Sequence, residues 1–161
     1  MKTKDFTSSF LVSQTASAAF EAINNVRGWW SEEIEGSTDH ADAVFNYHYE
    51  DVHSCAIKII EMIPAKKITW LVMDNYFKFT KDKSEWKNTR IIFDISEQGN
   101  KTLVQFTHQG LVPEYECYEI CRDAWTTYIQ KSLQNLISNG IGNPNGKDKP
   151  QTENEKKLAG S

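Results

Sequence analysis

The sequence predicts an α+β domain: a curved antiparallel β-sheet wrapped around one long C-terminal helix, with two short helices after the first strand. Three observations carry this. Segments between Ala43 and Gly110 are rich in strand-type residues and are parted by hairpin-length turn signals. From Glu114 to Asn139 there is neither proline nor glycine, and apolar residues recur at three- and four-residue spacings. Because the strands come first, that last helix is the one large element left to cover the apolar face of the sheet.

The elements follow in order. FTSSFLVS sets Phe6, Ser8, Phe10 and Val12 against Thr7, Ser9 and Leu11, the period of a strand. TASAAFEAINNV reads as a short helix that Thr15 caps, with Phe20 and Ile23 on one face. RGWWSEEIEG places Gly28 and Gly36 around a tryptophan pair in a second short helical turn. AVFNYHYE, VHSCAIKIIEMI, KKITWLVM, WKNTRIIFDI and TLVQFTHQG then read as strands. Glu50-Asp51, Pro64-Ala65, TKDKSE and Gln98-Gly99-Asn100 break them, which implies an antiparallel meander. Pro113 opens the long helix and Gly140 stops it. Its apolar stripe is Tyr118, Cys121, Trp125, Tyr128, Ser132, Leu133, Leu136 and Ile137. Residues 143–161 are almost free of apolar side chains and are expected to be a disordered polar tail on a domain spanning 1–142. A bent sheet clasping one helix is the helix-grip arrangement, which encloses a cavity where the facing side chains do not fill it.

Bulk properties narrow the function. The chain has 161 residues, 39% hydrophobic and 25% charged, which suits one domain with a real core. Its net charge of -4, with lysines always mixed among acids, argues against a nucleic-acid partner. No apolar run is long enough for membrane insertion. MKTKDFTSSFLV lacks the unbroken apolar core of a signal peptide, so a cytoplasmic location is expected. The three cysteines, Cys55, Cys117 and Cys121, then read as reduced thiols. No G-x-G-x-x-G, P-loop, serine elbow or paired-carboxylate constellation occurs, so no cofactor and no covalent chemistry are expected.

The chain resembles the START-like superfamily, also called SRPBCC or Bet v 1-like. Within it, it is most similar to bacterial homologues of the activator of heat shock protein 90 ATPase. The resemblance spans roughly residues 5–144. It is carried by WW at 29–30, EMIPAKKITWLV at 61–72, EWKNTRIIFDI at 85–95 and FTHQGLVPEYECYEICRDAWTTYIQKSLQNLISNGIGNP at 106–144. It implies the helix-grip fold. It also implies one of three roles: binding a lipid, hormone or polyketide in the cavity, cyclising or dehydrating a bound polyketide, or stimulating the chaperone. The eukaryotic activators carry an additional N-terminal chaperone-binding domain, for which these residues leave no room.

Aromatic residues give the strongest site signal. Trp29, Trp30, Phe45, Tyr47, Trp70 and Phe93 come from the first two-thirds of the chain, and Phe106, Tyr118, Trp125 and Tyr128 from the last third. With His108 and Cys121 they are the expected walls of a ligand cavity, mostly apolar with a few polar points. His108 shares a strand face with Val104 and Phe106. It is read either as a polar fixing point or base in the cavity, or as a buried histidine bonded to a helix tyrosine or a backbone carbonyl. Trp29 and Trp30 are expected at the mouth, since two adjacent tryptophans do not both face inward easily. Glu85-Trp86 and Arg90 read either as a charge at the pocket edge or, the favoured reading, as an outward-facing surface ion pair. Cys117 and Cys121 lie one helical turn apart, but His40, His48 and His53 belong to another region, so no metal site is expected. The leading expectation is non-catalytic binding of a small hydrophobic or amphipathic molecule, lipid-like or polyaromatic. The alternatives are a chaperone co-regulator and a cyclase- or dehydratase-like enzyme with His108 as base.

Overall fold

The structure is a computed structural model, and it describes residues 6–31, 34–49, 53–77, 86–111 and 118–142. The elements run β1 (Phe6–Val12), α1 (Ala16–Asn24), α2 (Val26–Trp29), β2 (Ile34–Gly36), β3 (Val44–Tyr49), β4 (His53–Ile63), β5 (Lys67–Phe77), β6 (Arg90–Gln98) and β7 (Lys101–Gln109). The last helix is α3 (Tyr118–Thr127), a π-helical stretch (Tyr128–Leu133) and α4 (Gln134–Asn139), joined end to end. Pro113, the expected start of this helix, Cys117 and the 143–161 tail lie outside the described residues.

The seven strands form one antiparallel sheet in the order β1-β7-β6-β5-β4-β3-β2. Period-two patterning explains it. In β7, Thr102, Val104, Phe106 and His108 are buried while Lys101, Gln105 and Gln109 are exposed. Register shifts between β4 and β5, at Ala56/Ile57 and Ile59/Glu61, bend the two longest strands. The sheet therefore curls around the C-terminal helix, as expected for a helix grip. Ile57, Ile59, Ile68, Val72, Ile91 and Val104 are fully enclosed on the inner face. Each such side chain contributes about 1.5–3 kcal/mol on burial.

Local chemistry sets the connections. The Thr15 hydroxyl accepts from the Ala18 N–H at 3.1 Å, capping α1. Gly140 closes α4 in the left-handed conformation, φ 80°, its N–H bonded to the Leu136 carbonyl at 3.0 Å.

Three features differ from expectation. β2 is an additional strand, held from α2 by Arg27, which donates to the Ile34 carbonyl at 3.1 Å and the Gly36 carbonyl at 2.8 Å. β6 begins at Arg90, because Trp86–Asn88 forms a turn with Asn88 at φ 69°. The long helix carries a π-helical interior, which brings Ile129 into the core beside Tyr128.

Candidate functional site

Between sheet and helix lies a continuous set of aromatic rings. Trp70, from the middle of β5, is the hub. Phe45 and Phe93 meet it edge-on at 5.1 and 4.9 Å, and Trp29 and Trp30 lie nearly parallel to it at 6.3 and 5.9 Å. Trp30 passes the set on to Tyr47 at 4.3 Å and to Trp125 of α3 at 5.0 Å. Trp125 in turn meets Phe106 at 4.7 Å and Trp86 at 5.6 Å. Tyr128 and Cys121 are buried on the same helix face.

Trp29 and Trp30 correct the expectation of a mouth. They are 0% and 2% exposed and stack at 20° to one another. Trp30 keeps a right-handed helical backbone, and both rings are covered because Trp70 lies along each of them while Tyr47 and Trp125 enclose Trp30. The Trp29 indole N–H donates to the Ile23 carbonyl at 3.0 Å, and Ser132 Oγ donates to the Trp29 carbonyl at 2.6 Å. Trp86 is likewise buried instead of forming an outward edge, whereas Arg90 is exposed.

His108 is completely buried at the end of β7. Trp125 Nε1–H donates to His108 Nδ1 at 3.1 Å, and the other ring nitrogen lies 2.8 Å from Thr89 Oγ1. Because an indole nitrogen only donates, Nδ1 accepts and the proton sits on Nε2. Thr89 therefore accepts from His108 and donates its own hydroxyl proton to the Trp86 carbonyl at 2.5 Å. Burial, reinforced by nearby His53, lowers the His108 pKa to about 3. The ring is neutral, with both nitrogens engaged. Its helix partner is a tryptophan; Tyr118 is only partly buried and has the Arg122 guanidinium 5.9 Å from its ring centre.

Sequence reasoning left His53, Thr89 and Trp86 out of the site. His53 Nε2 bonds Asn75 Oδ1 at 2.8 Å, and its ring meets Tyr47 at 5.2 Å and Trp86 at 4.6 Å. Burial lowers its pKa to about 4, against the opposing pull of Asn75. The parity of His53 with Cys55 and Ile57 on β4 was the available signal. Trp86 stands between the two imidazoles, 4.7 Å from His108 on its other side.

Two further groups bear on chemistry. Trp70 is 1% exposed, and its indole N–H has no hydrogen-bond acceptor among the described residues. Burial pushes the Cys55 thiol far up, so it is no nucleophile. Among the described residues no group of three or more His, Cys, Asp and Glu is placed to hold a metal ion, and no helix is long and apolar enough to cross a membrane. Among the described residues, clefts also lie beside the ring set, which shares Tyr47 with the first of them. One, of 320 Å³, is lined by residues of β2–β5, and another, of 340 Å³, by Glu21, Asn24, Asn25, Thr38 and Asp39.

A seven-stranded sheet curled around one helix, with an aromatic interior, defines a START-like helix-grip protein. The chain belongs to the family of Activator of Hsp90 ATPase homolog 1-like proteins, whose model matches residues 18–138. Among solved structures it is similar to the Aha1 dimer from Colwellia psychrerythraea, at 18% identity and TM-score 0.69, covering 86% of this chain and 99% of that one. It is also similar to protein MLL2253 from Mesorhizobium loti, at 12% identity and TM-score 0.65, covering 82% and 96%. CalU16 from Micromonospora echinospora matches at 11% identity and TM-score 0.58, covering 85% and 86%. At these identities the likeness establishes the fold alone. No curated protein matches.

Proposed function

We propose that this protein binds a small hydrophobic or amphipathic molecule between the sheet and the C-terminal helix, without covalent chemistry. The observation that carries this reading is Trp70. Its indole N–H is buried among rings with no acceptor among the described residues, and a buried donor left unpaired costs about 1–3 kcal/mol. A guest with a carbonyl or ether oxygen would relieve that cost while its apolar body gained about 0.8 kcal/mol per buried CH₂. Since the rings contact one another directly, such a guest enters by parting them, with Trp30 and Trp125 as the facing pair. The state of His108 supports binding over catalysis: a neutral imidazole with its lone pair committed to Trp125 is not poised as a base.

The test is titration with 2-acetylnaphthalene, which carries a carbonyl acceptor, against naphthalene, which carries none, followed by tryptophan fluorescence and native mass spectrometry. A saturable complex is expected, tighter for the ketone, with the preference lost in Trp70→Phe. If the ketone leaves the emission unchanged and mass spectrometry finds neither added nor co-purified ligand, the reading fails.

Family membership favours a second reading, that of a chaperone co-regulator. The family is described by its activator of the heat shock protein 90 ATPase. Retention of a heat shock protein 90 homologue, with faster ATP turnover, supports it; unchanged turnover at saturating protein rejects it.

A further inference from the structure

A second site lies on the opposite face of the sheet. Pairing places Glu35 opposite Asn46, Asn46 opposite Ala56, and Ala56 opposite Asp74, so these four residues form one row across β2, β3, β4 and β5. Their side chains point outward. The next residue on each of β3, β4 and β5 (Tyr47, Cys55 and Asn75) is buried on the inner face. Ser54 and Tyr76 pair in the adjacent row. Together these residues line the 320 Å³ cleft, a volume within the range of small-ligand sites, roughly 300–1,000 Å³. The small Ala56 side chain, between larger neighbours, makes its floor.

The chemistry of the cleft is one-sided. Glu35 and Asp74 stand at its two ends, three strand spacings apart, or about 14 Å between backbones. Neither has an ion-pair partner among the described residues, and Asp74 Oδ1 accepts only from the neighbouring Asn75 N–H, at 2.9 Å. Tyr76 is 42% exposed and its ring has no aromatic or cationic neighbour among the described residues. The Asn46 amide and the Ser54 hydroxyl supply acceptors between the two carboxylates. A single metal ion cannot bridge ends so far apart, whereas a flexible chain with an ammonium group at each end can. We propose that this cleft binds a linear di- or polyamine. One ammonium pairs with Glu35 and the other with Asp74, the alkyl chain crosses Ala56, and Tyr76 offers its ring face to the cation or chain. The carboxylates lie on the outer face of the sheet, and the proposal does not depend on the reading of the ring-lined interior.

The experiment is isothermal titration calorimetry on the full chain with spermidine, 1,5-diaminopentane and butylamine. One spermidine or diamine per chain is expected, with butylamine weaker by roughly tenfold, the value of one charge-assisted hydrogen bond. Glu35→Gln and Asp74→Asn each weaken spermidine by roughly tenfold. Tyr76→Ala weakens it about two- to fivefold and Tyr76→Phe does not. Glu97→Gln, on exposed β6 outside the cleft, makes the same charge change and leaves the affinity as it was. All four positions substituted are exposed, and thermal melts check that each of the five variants folds. Two results overturn the proposal: no saturable heat with spermidine at millimolar concentration, or equal weakening in all three carboxylate variants, which marks diffuse attraction to an acidic chain.

Discussion

Trp125 on α3 donates its indole proton to His108 on β7 across 3.1 Å, and that bond fixes the direction of every hydrogen bond beyond it. His108 then donates to Thr89, and Thr89 to the Trp86 carbonyl. A one-way chain of donors thus ties the helix through the sheet to the β5–β6 connection, inside a largely aromatic interior. Buried polar chains of this kind rigidify a core when every member is satisfied and are costly when one is removed.

The bond predicts strong coupling between its two ends. His108→Ala strands the Trp125 donor and opens a void, and is expected to cost about 3 kcal/mol or more. Trp125→Phe leaves His108 Nδ1 without a donor and costs about 1–3 kcal/mol from that alone. The double variant should be less damaged than the sum of the two, by roughly 1 kcal/mol or more. Urea unfolding monitored by circular dichroism reads this as midpoints shifting at constant slope. Additivity within about 0.5 kcal/mol would contradict the coupling.

Stability should fall with acid before the carboxylates titrate. The His53 and His108 pKa values are lowered to about 4 and about 3 from an ordinary 6.5. The unfolded chain therefore takes up protons below pH 6.5 that the native protein refuses. The contribution is complete above that pH and is lost as pH drops toward the folded values. Each histidine removes up to about 1.4 kcal/mol per pH unit once the unfolded ring is fully protonated, so the pair costs about 3 kcal/mol between pH 6.5 and 5. Unfolding free energies at pH 7, 6 and 5 check this, and His108→Gln should halve the slope. A flat profile over that range contradicts the buried, neutral state of both rings.

What was legible in the sequence was whatever depends on local period. Phe45, Tyr47, Trp70, Phe93 and Phe106 face inward because alternate side chains of a strand share a face, and their strands could be placed from turn residues alone. The Thr15 cap and the Gly140 stop are equally local. Features that depend on distant partners were not legible. β2 exists through Arg27, whose donors meet carbonyls seven and nine residues on. The orientation of His108 depends on a tryptophan seventeen residues away on another element. Trp86 reads as part of a strand, but its ring is captured between His53, His108 and Trp125. The π-helical stretch leaves no mark in composition, since it shifts backbone pairing without changing which residues are apolar. Trp29 and Trp30 misled for the same reason: the rings that cover them, Trp70, Tyr47 and Trp125, come from distant elements.

Ser132 anchors the tryptophan pair to the π-helical stretch. Its hydroxyl donates to the Trp29 carbonyl at 2.6 Å with both residues fully enclosed. Ser132→Ala keeps the volume nearly constant and removes the donor, so a loss of about 1–2 kcal/mol is expected. Ser132→Val adds bulk against a packed backbone and should cost more. Thermal melts order the three proteins, and a valine variant as stable as wild type would show that the carbonyl needs no partner there.

Gly142 holds the end of the helix against α2. A Cβ at this position would stand 2.1 Å from the Gly28 carbonyl oxygen and 3.1 Å from its carbon. Those are backbone atoms, belonging to a residue inside α2. No side chain can swing aside to make room, so either α2 or the chain after α4 must move. Moving α2 drags Trp29 and Trp30 off the face of Trp70. Gly142→Ala is therefore expected to destabilise by about 1–3 kcal/mol, the usual cost of overpacking, and to shift tryptophan emission as the stack is disturbed. Gly99→Asn is the matched control. Nothing lies within 4 Å of that Cβ position, and its φ of 66° is one that asparagine adopts readily. It should leave both the melting temperature and the emission maximum unchanged. If Gly142→Ala is equally silent, the close approach of the two glycines is not what seats the tryptophan pair.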